Sequence, residues 1–150
     1  MQSDTPNPVK DALTSPSGQI LNGIPHCRAM GMELLSADEG RAVMRLPYSE
    51  MLIGDPSTGV ISGGAVTALL DTCCGSAVMS SDKGLRSTAT LDLRIDYMRP
   101  ATPKEALLAV AEVYRVTRTV GFVRALAHHG DESKPVASAS ATFILERTSK

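Results

Sequence analysis

From Pro56 through Ser81 the chain carries one charged residue, Asp71. It lies inside the apolar run from Ala65 to Met79, which Ser62-Gly63-Gly64 precedes. Val66, Leu69, Leu70, Cys73, Ala77 and Val78 recur at three- and four-residue intervals, so the run reads as a helix from Gly63 to about Ser80. A helix this apolar has to be covered, and its small residues suit close packing. A carboxylate in such a setting is costly to desolvate unless it is paired or functional. Asp71 therefore has two readings, a structural carboxylate with a hydrogen-bond partner or an acid/base group. Two glycines at the helix start let another group approach backbone N–H donors closely.

The flanking segments supply the cover. Residues 31–36 and 42–46 read as two strands around the polar turn 37–40, followed by an irregular loop at 54–59. Residues 90–97 alternate, with Leu91, Leu93, Ile95 and Tyr97 on one face and Thr90, Asp92, Arg94 and Asp96 on the other. Residues 107–116 and 120–129 form a hairpin across Thr117-Arg118-Thr119. Residues 136–145 place Ala137, Ala139, Ala141, Phe143 and Leu145 together. Strand, strand, long helix and four antiparallel strands predict an α+β fold in which one sheet covers one helix. Residues 1–16, rich in Pro, Ser, Asp and Thr, read as a mobile arm ahead of a single domain spanning 17–150. Residues 17–23 read as a weak helix or turn that Ile24-Pro25-His26 breaks.

A net charge of −1 and a pI near 6.3 argue against nucleic acid or anionic membrane as a general partner. No apolar run is a convincing membrane span, since Asp71 and small polar residues interrupt the best one. The first residues have no basic and apolar signal pattern. The three cysteines, Cys27, Cys73 and Cys74, show no zinc spacing, and two are adjacent. Reduced thiols in a cytoplasmic protein are expected, with no metal site. His128 and His129 point to opposite faces of a strand and cannot share a metal. Met51, Met79 and Met98 read as core residues rather than an acyl-recognition set.

Several segments together resemble one family. They are Ile24-Pro25-His26 ahead of Met30-Gly31-Met32; Met51-Leu52-Ile53-Gly54; Gly63-Gly64 followed by Leu70-Asp71; Thr90 through Tyr97-Met98-Arg99-Pro100-Ala101; and the hairpin around Arg118. Over about residues 18–147 the chain resembles the PaaI-type acyl-CoA thioesterases of the hotdog fold, in which a sheet wraps a central helix. The resemblance implies an enzyme that splits acyl-CoA into free acid and coenzyme A, which enters as part of the substrate with no other cofactor. It implies that Asp71 is the catalytic carboxylate, that the Gly64 N–H polarises the thioester carbonyl beside Gly63, and that Thr90 stands near the attacking water. His26 is a candidate for the acyl pocket, and one or more of Arg94, Arg99 and Arg118 for the coenzyme A phosphates, the sequence not choosing among the three. The chain departs from the family pattern twice: Ser62 stands where His usually precedes Gly-Gly, and Ile53 where the preceding loop often has Asn. Ser62 is then either a helix cap or a donor to the substrate carbonyl.

Helix geometry adds an expectation of its own. Gly64 and Asp71 are seven residues apart, about 10 Å along a helix axis. One chain has difficulty presenting both to one carbonyl, whereas two antiparallel copies of the helix would pair them across a twofold axis. A homodimer with shared sites is expected, with a tetramer left open. The alternative function is an acyl-CoA-binding hotdog protein with little or no turnover.

Overall fold

The computed structural model describes residues 21–148. The expected N-terminal arm, 1–16, lies outside them. Residues 21–23 are helical and the chain breaks at Ile24. Pro25 then opens a short helix, α1 (Pro25–Met30), which ends at Gly31 with a left-handed φ of 71°. The sequence reading stopped at the break and missed α1. Proline in the first turn and glycine just past the end are the signals that mark it.

Strands β1 (Glu33–Asp38) and β2 (Arg41–Leu46) form a hairpin closed by Glu39 and Gly40, both at positive φ. After a 3-10 turn at Glu50–Leu52 come two short strands, β3 (Ile53–Asp55) and β4 (Val60–Ile61). They pair as a ribbon where an irregular loop was expected. The long helix α2 (Gly63–Ser80) follows, then β5 (Leu85–Tyr97), β6 (Leu107–Val116), β7 (Val120–His128) and β8 (Ala137–Arg147). The main sheet is antiparallel in the order β1-β2-β6-β7-β8-β5. One face of it packs on α2, the expected α+β hotdog arrangement.

Small side chains bring the layers together. Ala109, Ala111, Ala125, Ala127, Ala137 and Ala141 are buried on the sheet, and Leu69, Leu70, Cys73, Cys74, Ala77 and Val78 of α2 have no exposed surface. Burying each such Leu contributes roughly 1.5–3 kcal/mol. The Cys73 thiol donates to the carbonyls of Ala42 and Ala109 at 3.5 Å, spending its weak donor inside the core. Among the described residues no helix is long and apolar enough to cross a membrane.

Strand β5 corrects one expectation. Its pairing with β8 shifts register between Thr90 and Asp92, so Leu91 is an extra residue opposite the partner strand. Thr90 then pairs with the buried Phe143, while Leu93 and Ile95 pair with the buried Ala141 and Ala139. Thr90 joins the face of Leu93 and Ile95, and Leu91 turns outward, 56% exposed. A bulge inserts one residue and reverses the alternation on one side of it. Met51 and Met98 are also exposed rather than in the core.

His128 is the buried polar group the fold satisfies least. Its Nδ1 accepts the Gly130 N–H at 3.0 Å, which places the proton on Nε2, and that atom has no partner among the described residues. Burial pulls its pKa below 6.5; Glu132 raises it, neighbouring His129 lowers it and Asp131 raises it. The neutral form is therefore favoured more in the folded chain than in the unfolded one. His128's contribution is complete above pH 6.5, falls as pH drops through 6.5, and levels off below the depressed folded value. Asp55, Asp82 and Asp131 have lowered pKa values instead, so their contributions are lost only below the ordinary 3.8. The melting temperature should accordingly fall between pH 7 and pH 5, and His128→Leu should flatten that fall. An unchanged slope in the variant would assign it to another group.

Candidate active site

The start and the middle of α2 concentrate the chemistry. At the N-terminal end, the Ser62 N–H donates to the Leu52 carbonyl at 2.7 Å, and Ile53 pairs with Ile61. The β3–β4 ribbon thus sets where the helix begins. Gly54 is needed there: a Cβ on it would stand 2.7 Å from the Ser62 Cα. Ser62 is the helix cap, its Oγ accepting the Gly64 N–H at 3.1 Å. The N–H expected to polarise a carbonyl is therefore already partnered within the chain. Tyr97, at the end of β5, donates its hydroxyl to the Gly63 carbonyl at 2.8 Å and lies 2.6 Å from the Thr67 hydroxyl. A cavity of about 400 Å³ opens there, with Gly63, Val66, Tyr97, Pro100 and Val136 in its wall.

Asp71 sits halfway along α2, half-buried. The β5 bulge carries the Thr90 hydroxyl to it, donating to Oδ1 at 2.7 Å. Among the described residues Asp71 has no ion-pair partner and no other donor. A carboxylate has about four acceptor sites, so most of its capacity is left open. It faces a separate cavity of about 440 Å³, with Ile24, Met79 and Phe143 as apolar wall and Arg86 on its border. Arg86 is held by Glu146 across the β5–β8 pair.

The nearby thiols do not compete as nucleophiles. Burial pushes the Cys74 thiol up to about 12, with the Asp71 charge adding to it. Burial also raises Cys27, partly offset by its contact with Thr72, while Asp71 raises it further. Near neutral pH both stay protonated, and a thiol is a poor nucleophile beside its thiolate.

The sequence-derived candidates therefore separate into groups. Asp71 and Thr90 meet. Ser62, Gly63, Gly64 and Ile53 cluster at the start of α2. His26 is exposed on α1 and lies outside both cavity walls, although its neighbour Ile24 lines the larger one. Arg118 is exposed at the β6–β7 turn, where its carbonyl accepts the Arg147 Nε–H at 3.3 Å, and it lines neither cavity. In sequence Tyr97 has a place on a strand face and in the family-like segment ending at Ala101, but no role in the site. Its short distance to Gly63 depends on how β5 crosses the helix start, which strand periodicity does not encode.

Residues 58–136 match the family model described as the thioesterase superfamily. The chain is 30% identical to the medium/long-chain acyl-CoA thioesterase YigI of Escherichia coli K12, over 91% of this chain and 96% of that one. A crystal structure of a Pseudomonas aeruginosa protein is 41% identical and superposes with a TM-score of 0.77, covering 85% of this chain and 95% of the other. The PaaI protein of the Escherichia coli phenylacetic acid degradation operon shares the fold, with a TM-score of 0.78 at 22% identity over 95% of this chain and 96% of its own. On the matched family model and the near full-length relative, this chain belongs to the thioesterase superfamily, as a thioester hydrolase of the hotdog fold.

Proposed function

We propose that the protein hydrolyses acyl-CoA thioesters to a free acid and coenzyme A, using Asp71 and the N-terminal backbone of α2 from two different subunits. The observation that carries this reading is Asp71 itself, a half-buried carboxylate held by one hydroxyl and open to an apolar cavity. The bond from Thr90 orients one carboxylate oxygen and leaves the other for chemistry. As a base, Asp71 takes a proton from water as the water oxygen attacks the carbonyl carbon. The carbonyl oxygen gains negative charge and meets N–H donors at the start of α2. Collapse expels the coenzyme A sulfur, which takes the proton back from Asp71. Direct attack by the carboxylate would instead pass through an anhydride that water then opens. Neither route requires a metal or a further cofactor.

The two groups lie in different cavities of one chain, which supports a shared site. About 10 Å of helix separates them. The edge strand β5 and the residue after it also carry exposed apolar side chains, Leu91 56%, Tyr97 52% and Met98 56% exposed, which a second copy would cover. Tyr114, Val116 and Ile144 are further exposed apolar residues on β6 and β8, and are where a tetramer contact would form. The apolar wall of Ile24, Met79 and Phe143 suits a hydrocarbon chain, and the YigI relative's name gives medium to long acyl groups for that protein.

The second reading, an acyl-CoA binder with slow turnover, is favoured by one observation: Ser62 already occupies the Gly64 N–H. A hydrolysis screen over short, medium, long and aromatic acyl-CoAs decides between them. Turnover should be measurable and greatest with medium to long chains. Tight binding without turnover would establish the binder. Ser62→His supplies the family's residue and should raise turnover several-fold. Ser62→Ala should cost about 1 kcal/mol of stability through the lost cap, with little kinetic change. A large kinetic loss in Ser62→Ala would show that the serine acts on substrate rather than as a cap.

A further inference from the structure

We propose that Tyr97 is a catalytic residue, donating its phenolic hydrogen to the thioester oxygen and supplying the side-chain donor that Ser62 and Ile53 do not. The inference rests on the hydrolase reading above. Two polar positions that the family pattern places around the carbonyl are Ser62 and Ile53 here. Ser62 is turned to its own helix, accepting from Gly64, and Ile53 has no polar side-chain atom. Tyr97 brings a hydroxyl to the same helix start. It shares the wall of the smaller cavity with Gly63.

The hydrogen count at Gly63 shows why this hydroxyl can be released. Three oxygens form a triangle: Tyr97 Oη to Gly63 O at 2.8 Å, Thr67 Oγ1 to Gly63 O at 3.0 Å, and Thr67 Oγ1 to Tyr97 Oη at 2.6 Å. Two hydroxyl hydrogens serve these three edges, so one edge is always without a hydrogen. Tyr97 is therefore not essential for holding the Gly63 carbonyl, which Thr67 can hold alone. When Tyr97 turns its hydrogen to a substrate oxygen, the single Thr67 hydrogen goes either to the Gly63 carbonyl or to Tyr97 Oη, and only the second arrangement makes a chain. A chained pair of hydrogen bonds strengthens the outer donor as negative charge grows on the substrate. The ring packs on Gly63, where an added Cβ would lie 3.5 Å from Oη and 3.6 Å from the ring, so the hydroxyl is held close to the helix backbone.

Tyr97→Phe keeps the ring and deletes the hydroxyl. It should lower kcat by about 10²-fold with KM nearly unchanged, the signature of an interaction made in the transition state. Thr67→Val should lower kcat only a few-fold, because it weakens the donor without removing it. Equal, small losses in both variants would mean that Tyr97 only props the Gly63 carbonyl, and would overturn the proposal. A second readout is independent of turnover and of Tyr97→Phe stability. An acyl-CoA ketone, with CH₂ in place of the thioester sulfur, should show a lower carbonyl stretching frequency bound to wild type than bound to Tyr97→Phe. Identical frequencies would also overturn the proposal. A wild type that binds the ketone yet hydrolyses no acyl-CoA would defeat the hydrolase reading, and with it catalysis by Tyr97, while the frequency comparison still decides whether Tyr97 contacts the carbonyl.

Discussion

Asp71→Asn should lower acyl-CoA turnover by about two orders of magnitude or more while leaving acyl-CoA binding in place. The substitution is nearly isosteric. The amide oxygen can still accept the Thr90 hydroxyl, so the α2–β5 contact survives. What disappears is the charge and basicity needed to take a proton from water or to attack the carbonyl. The cavity walls formed by Ile24, Met79 and Phe143 do not change. Steady-state kinetics, with binding measured by calorimetry, separates the two effects. A variant that retains full turnover would remove Asp71 from the chemistry whatever the substrate. A variant that loses binding as well would mean that the carboxylate mainly supports the cavity.

The second large effect is expected away from any reacting group. Gly54→Ala places a methyl 2.7 Å from the Ser62 Cα and 3.1 Å from the Ser62 nitrogen. Both are backbone atoms, and that nitrogen is tied to the Leu52 carbonyl. Nothing flexible can move aside, so the β3–β4 ribbon must separate from the start of α2. Strain of this kind costs about 1–3 kcal/mol. The helix N-terminus moves with it, carrying the Gly63 and Gly64 N–H groups and the Tyr97 contact. Turnover should fall roughly tenfold or more, since small misplacements of catalytic groups are costly. Melting temperature and kcat measured on the same preparation test this. A variant as stable and active as wild type would show that the ribbon does not set the helix start.

Asp71 was legible in sequence because a single charge in an apolar helix contrasts with everything around it. The helix limits, the β6–β7 hairpin and the buried face of β8 were legible because each shows one period along its length. Strand periodicity does not show the partnership of Asp71 with Thr90, which only the family resemblance brings to one site. Read by strict alternation, β5 places Thr90 on the solvent side and Leu91 inside, and the bulge reverses both. No glycine or proline marks that bulge, which forms between two chain segments far apart in sequence. Tyr97 escaped for a related reason. Its alternation identifies a face of β5, but its hydroxyl chemistry depends on where the strand passes Gly63 and Thr67. The short pieces, α1 and the β3–β4 ribbon, span too few residues for a period to appear.

The shared site is the centre of this account, and a hybrid dimer tests it most directly. One parent carries Asp71→Asn. The other carries Gly64→Pro, which removes the backbone N–H at the second helical position together with its bond to Ser62 Oγ. Each parent alone should be nearly inactive. If every site takes Asp71 from one subunit and the helix N-terminus from the other, a hybrid has one site with both defects and one with none. Unfolding and refolding an equal mixture should make about half of the dimers hybrids and restore about a quarter of the wild-type activity. If both groups instead come from the same chain, every hybrid site carries one defect. The refolded mixture would then show no activity beyond the sum of its parents, and the shared site would be contradicted.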